Sequence, residues 1–254
     1  MSGAERGHLF RVEIPGGSPL FAGHFPGQPI LPGIAQLAMA ERALGAPLAA
    51  VRALKLRRPV APGEVLELGL KDPEEDGWSR FELRRGGEAV SGGTVRTGLS
   101  GGQAPTAEPP RPAAGFPPVE DLLPHAPPAR LLLGIVEASP EGITALAEIP
   151  SGHPLAGDGL APALLGIEAA AQAAAALEAL GRGQEAPGPR IGYLVGVREA
   201  RLGTVALPTG QPFRVAARLQ GGAFPLSIYE IAVGEPGREV VTGTISTYLA
   251  ARGE

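Results

Sequence analysis

Several short runs in this chain alternate apolar and polar residues with the two-residue period of half-buried strands, and Gly, Pro or Asp bounds each of them. In the first half these runs are LFRVEI, VRALKLRRPV, VLELGLKD, SRFELRRG and EAVSGGTVRTG. Between the first and second of them a loop, GSPLFAGHFPGQPIL, leads into a helix expected to begin at Pro32 or Gly33 and to end near Leu44. The second half opens with LLPHAPPARLLLGIVEAS and ITALAEI, passes a loop, SGHPLAGDGLAP, and enters a longer helix, ALLGIEAAAQAAAALEAL. More strands follow at IGYLVGVREARL, PFRVAARLQ, LSIYEIAVG and VVTGTISTYLA. The second helix is apolar on every side and rich in Ala, which propagates helix well and lets a sheet approach closely, so it should be mostly buried. One helix followed by a meander of strands, twice over, predicts an α+β protein whose antiparallel sheets wrap central helices.

Between the halves, SGGQAPTAEPPRPAAGFP has almost no large apolar side chains and reads as a linker. The expected organisation is therefore an amino-terminal domain at 1–99, a Pro/Gly/Ala-rich linker at 100–117 and a carboxy-terminal domain at 118–254. Like order on both sides favours a duplicated unit over two unrelated domains. With 44% hydrophobic and 19% charged residues the chain has the composition of a soluble globular protein. There is no cysteine, which excludes disulfides, thiolate nucleophiles and cysteine-ligated metals. A net charge of −4 with scattered Lys and Arg forms no stripe for following phosphates, so nucleic acid is not an expected partner. No apolar run approaches the roughly 20 residues that span a bilayer. MSGAERGHLF also lacks the basic-then-apolar order of a secretion signal, so the cytoplasm is the expected compartment.

Residues 23–44, GHFPGQPILPGIAQLAMAERAL, resemble the signature of bacterial β-hydroxyacyl-acyl-carrier-protein dehydratases of the hot-dog fold: a His-Phe-Pro-Gly loop, then Pro, then Pro-Gly opening the central helix. LKLRRPVAPGEVLEL, residues 54–68, looks like the strand and turn that follow that helix in the family. The second half is similar more loosely. Its residues 122–133 look like the entry to the family's amino-terminal strand, and 152–175 look like the loop and helix, including a Glu followed four residues later by Gln. The loop from His153 to Pro162 is one residue longer than that from His24 to Pro32, and the Pro-Gly has become Pro162-Ala163. The whole resembles a fusion of the two dehydratase partner subunits of aryl polyene-type pathways, with a double hot-dog fold implied.

Removing water from a β-hydroxyacyl thioester requires a base for the α-proton, an acid for the departing hydroxyl and donors for the thioester oxygen. A histidine suits the first role because neutral imidazole is available near pH 7, and His24 fits. Unpaired N–H groups at a helix start suit the third, and Pro32 and Gly33 stand there. An acid on the buried face of an Ala-rich helix suits the second, because desolvation disfavours a charged carboxylate; Glu168 occupies such a helix. In the resembling dehydratases an acid lies six residues after the helix-opening Pro. Counting from Pro32 reaches Ala38, whereas counting from Pro162 reaches Glu168. Those enzymes are dimers that pair His and acid across subunits, so the resemblance implies one composite site, His24 with Glu168. The reciprocal pair, His153 with Ala38, lacks an acid and is expected to be inactive or weak.

Plainer readings stand beside these. His24 could be a packing residue and Glu168 a solvated one, but no polar face surrounds Glu168. Gln172, one helical turn on, is a hydrogen-bond partner for site or structure, and His153 reads as a relic or a binding residue. Glu41, three residues past Ala38, is displaced by roughly 4.5 Å along the axis and is a poor replacement acid. His8 and His125 carry no partner pattern, and the four histidines show no metal-ligand spacing, so neither metal nor cofactor is expected. Arg57 and Arg58 either greet an acidic carrier protein or merely solubilise. The implied partner is acyl carrier protein bearing a phosphopantetheine-linked acyl chain, in a fatty-acid, polyketide or polyene pathway. An acyl thioesterase and a catalytically degenerate carrier-binding scaffold are the alternatives. An intramolecular pseudo-dimer is expected, with higher homo-oligomers through sheet edges left open.

Overall fold

The computed structural model describes residues 7–98, 111–182 and 190–250. In the first part β1 (Gly7–Glu13) is followed by a 3-10 turn at Pro19–Phe21 and by α1 (Gly33–Leu44), which Gly45 ends in the left-handed conformation at φ 66°. Four strands follow: β2 (Leu48–Leu56), β3 (Val65–Lys71), β4 (Trp78–Arg85) and β5 (Glu88–Thr97). The second part contains α2 (Val119–Leu122), β6 (Leu132–Ser139), β7 (Gly142–Ala147), β8 (Leu160–Pro162) and α3 (Leu165–Arg182). It continues through β9 (Gly192–Leu202), β10 (Ala206–Pro208), β11 (Phe213–Ala223), β12 (Leu226–Val233) and β13 (Val241–Leu249).

Eleven strands form one antiparallel sheet in the order β1-β3-β4-β5-β2-β9-β13-β12-β11-β7-β6. The two parts meet where β2 pairs with β9, with Val51 opposite Ala200 and Leu54 opposite Val197. Both helices pack on the strands, α1 on β3 and β5 and α3 on β7 and β11, and one apolar core holds Ile34 and Leu37 of α1 together with Ile167 and Ala170 of α3. The helices differ as their sequences predict. α1 buries one stripe, Ile34, Ala35, Gln36, Leu37 and Ala40, whereas α3 is buried almost without interruption from Leu165 to Leu177.

Most predicted elements are present, with three differences. Residues 122–131 are not strand: α2 ends at Leu122, β6 begins only at Leu132, and the Pro-rich stretch between crosses toward the first half. β8 and β10 pair into a small separate sheet that no alternating run announced. Of the segment expected to be a linker, residues 100–110 lie outside the described residues, while Ala113 donates its amide to the Ile135 carbonyl at 2.8 Å and so ties the segment's end to β6. Ala173 has no exposed surface. Replacing Ala173 with Leu should therefore overpack the helix–sheet contact and cost about 1–3 kcal/mol, read as a lower midpoint in thermal unfolding. An unchanged midpoint would mean that α3 is not enclosed as described.

Candidate active site

His24 lies in the loop between the 3-10 turn and α1, and the loop closes on it. The Ile30 amide donates to the His24 carbonyl at 2.9 Å, and the Ile30 carbonyl lies 3.1 Å from His24 Nδ1. A carbonyl only accepts, so Nδ1 carries the proton and the lone pair sits on Nε2. The ring is buried and stacked on Phe25, with centroids 4.2 Å apart. Gly23 joins this loop to the second half: the Ala126 amide donates to its carbonyl at 3.0 Å. Gly23 has φ +78°, and a Cβ there would collide with the Ala126 carbonyl, so only glycine fits.

α3 supplies Glu168 and, one turn on, Gln172. The Gln172 amide group donates to Glu168 Oε1 at 3.1 Å and to the Ala129 carbonyl at 2.8 Å, while its own oxygen accepts from the Leu131 amide at 2.8 Å. Gln172 thus orients the carboxyl and also pins the crossing segment to the helix. That segment brings a third group. His125, buried, puts Nε2 3.7 Å from Glu168 Oε1, and its ring centroid is 5.2 Å from that of His24. One nitrogen from each of His24 and His125 and one carboxylate oxygen of Glu168 lie within 4.8 Å of one another. Burial, and secondly the neighbouring His24, hold His125 well below the usual histidine range, so it is neutral.

These groups face a cavity of about 380 Å³ lined from both halves, by His24, Gly33 and Arg58 on one side and by Glu168, Gln172 and Tyr193 on the other. Ala171, Ala175 and Glu178 continue the face of α3 that begins at Glu168, so the cavity follows the helix for about 15 Å. Glu178 accepts from the Tyr229 hydroxyl at 3.0 Å and from Thr247 Oγ1 at 3.1 Å. Arg57 and Arg58 are exposed at its margin, and Arg58 pairs with Glu88 at 3.2 Å. The glycine at position 33 has a packing reason, since a Cβ there would strike Leu56 Cδ1.

The reciprocal pair is arranged differently. His153 and Pro32 line a separate void of about 20 Å³, little more than one water needs. His153 Nδ1 accepts the Leu155 amide at 3.2 Å, which leaves the proton on Nε2, the reverse of His24. Burial pushes His153 down to about 4. Ala38 packs against the core, and Glu41 is engaged elsewhere, accepting the Leu48 amide at 2.9 Å.

A family model for ApeP dehydratases, ApeP-like, matches residues 117–253, and one for ApeI dehydratases, ApeI-like, matches residues 2–94. The chain belongs to the ApeP-like dehydratase family. Its amino-terminal part carries the ApeI-like counterpart, so the two dehydratase types stand in tandem. The 3-hydroxyacyl-[acyl-carrier-protein] dehydratase FabZ of Thermus thermophilus is 44% identical over 64 residues, 20% of this chain and 45% of that protein. The chain thus spans less than half the length of the curated relative it matches. Among solved structures, the dehydratase heterocomplex ApeI:P from Xenorhabdus doucetiae aligns at 24% identity and TM-score 0.50, covering 55% of this chain and 95% of that one. A trans-AT polyketide synthase dehydratase domain from Brevibacillus brevis aligns at 16% identity and TM-score 0.69, covering 96% and 94%. These likenesses establish the hot-dog dehydratase fold over nearly the whole chain.

His24, Gly33, Glu168 and Gln172 gather at the cavity of about 380 Å³; Pro32 and His153 lie at the small void, which His24 and Glu168 also border. His125, which carries no partner pattern in the sequence, stands in the site all the same; it lies within residues 122–133, whose resemblance to the family is the signal that could have found it. Gly23→Ala should cost about 1–2 kcal/mol for its backbone conformation alone, plus the collision, and loosen the loop against residue 126; amide exchange at Ala126 as slow as in the wild type would contradict this contact. His125 also makes stability depend on pH. Its folded pKa lies below the unfolded value near 6.5, so the unfolded chain binds more protons in between, and stability falls as pH drops below about 6.5. Wild type should lose up to about 1.4 kcal/mol per pH unit more than His125→Gln there; parallel denaturation curves would rule out a buried neutral imidazole.

Proposed function

We propose that the chain is a hydro-lyase that dehydrates β-hydroxyacyl thioesters carried on acyl carrier protein to trans-2-enoyl thioesters, at one composite site built by a hot-dog unit at 1–99 and another at 118–254. The observation that carries this reading is the convergence of His24 and Glu168, from opposite sides of the linker, at the cavity between the halves. His24 Nε2 takes the α-proton, and its Nδ1–H bond to Ile30 holds the ring in the tautomer this requires. The α C–H electrons form the new double bond as the β C–O bond breaks, and Glu168 gives its proton to the departing hydroxyl, which leaves as water. Passage of the proton from His24 to Glu168, whose polar atoms lie within 4.8 Å, restores both groups.

The Gly33 amide, which opens α1 at the cavity, receives the thioester oxygen as enolate charge develops. Gln172 orients the acid, and the cavity along Ala171 and Ala175 receives the acyl chain. Arg57 and Arg58 at the margin suit the acidic surface of a carrier protein. His153, with its proton on Nε2 and Ala38 at the position of its reciprocal acid, plays no part in turnover.

Incubation with a β-hydroxyacyl carrier protein, followed by mass, should show the loss of one water. Release of free acid would indicate a thioesterase instead, and an unchanged mass a scaffold. His24→Ala and Glu168→Ala should each lower kcat by about 10²- to 10⁴-fold, while His153→Ala keeps most activity. Equal losses from His24→Ala and His153→Ala would overturn the asymmetry.

A further inference from the structure

Dehydration uses His24 and Glu168 but leaves His125 without work, and its surroundings are unusual for a buried imidazole. Nδ1 has no hydrogen-bond partner among the described residues, and the neighbour of Nε2, Glu168 Oε1 at 3.7 Å, is beyond hydrogen-bond distance. With no hydrogen bond among the described residues on either nitrogen, Nε2 beside Glu168 is left free to bind a ligand. Two imidazoles and one carboxylate around a common point form a donor set for a divalent transition metal.

The distances fit such an ion. Four-coordinate Zn²⁺ with bonds of about 2.0–2.2 Å places its ligand atoms roughly 3.3–3.5 Å apart. His125 Nε2 and Glu168 Oε1 are already 3.7 Å apart, and the widest separation in the trio, 4.8 Å, needs to close by little more than about 1 Å. Two of the three groups, His24 and Glu168, also have supporting contacts of the form that metal ligands need. His24 Nδ1 is held by the Ile30 carbonyl, which leaves Nε2 free to ligate, and Gln172 fixes the carboxyl. A fourth position faces the cavity.

We propose that His24, His125 and Glu168 form a binding site for a divalent transition metal, with Zn²⁺ the ion that fits, and that metal and acyl substrate exclude one another there. Metal capture stands on the geometry alone; the exclusion rests on the proposed dehydration. Bound metal occupies the base lone pair and the acid together, so it silences turnover rather than assisting it.

The metal-free full chain is titrated with Zn²⁺ by calorimetry and with Co²⁺ by visible absorption. One equivalent should bind, with the intense Co²⁺ bands of four-coordination. His125→Gln and Glu168→Gln should each weaken Zn²⁺ binding by at least about 100-fold, since losing a group that merely orients a ligand already costs about 10- to 100-fold. His8→Ala, at the exposed His8–Asp72 pair, should bind as the wild type does. Each variant is first checked for wild-type-like thermal unfolding in chelator, and the Co²⁺ spectrum of the wild type decides the matter if neither folds. No stoichiometric binding, a weak six-coordinate spectrum, unchanged affinity in both site variants, or loss only in His8→Ala would overturn the site. In turnover, Zn²⁺ should raise KM without changing kcat. Binding with no effect on turnover would refute the exclusion, and a chain that binds Zn²⁺ but dehydrates nothing would refute the function while leaving the metal site standing.

Discussion

The pairing of β2 with β9 is the constraint on which the rest of this molecule depends. It turns two strand meanders into one antiparallel sheet of eleven strands, and so decides which helix faces which loop. Neither half could bring His24 to Glu168 alone, since the first is on a loop before α1 and the second is on α3. Backbone bonds across Val51–Ala200 and Leu54–Val197 place the two in register, and a one-residue slip there would turn every following side chain to the opposite face.

Finer adjustment comes from two contacts between the loop and the crossing segment. Gly23 accepts the Ala126 amide, and Gln172 holds Ala129 and Leu131 against α3. Together they fix a short, Pro-rich length of chain with His125 at its start and Glu168 beneath it. His24 is therefore held by a backbone carbonyl, Glu168 through the side chain of Gln172, and His125 through the backbone bond of its neighbour Ala126. The same economy explains why only one site is built. Around His153 the longer loop turns the imidazole to accept from Leu155, and little space remains.

How far the sequence reveals this differs by residue. The strands were legible because their period of two and their Gly and Pro borders are local signals, and the start of α1 at Gly33 followed from Pro32. Glu168 could be found by counting, and its contact with Gln172 follows from helical spacing. His125 was not legible: a lone histidine in an irregular Pro-rich stretch has no period, and its place beside His24 arises from contacts about a hundred residues apart in the chain. The bonds from Gln172 to Ala129 and Leu131, the collision of Gly33 with Leu56 and the β8–β10 pair are hidden for the same reason.

The central claim is that base and acid come from the two halves of one and the same chain. Mixing full-length His24→Ala protein with full-length Glu168→Ala protein, after unfolding and refolding them together, tests it most directly by the rate of water loss from a β-hydroxyacyl carrier substrate. Each chain keeps one good half-site, so a site assembled within a chain predicts no recovery above the separate variants. Recovery of a substantial fraction of wild-type activity would show that His24 of one chain meets Glu168 of another, and would contradict the account.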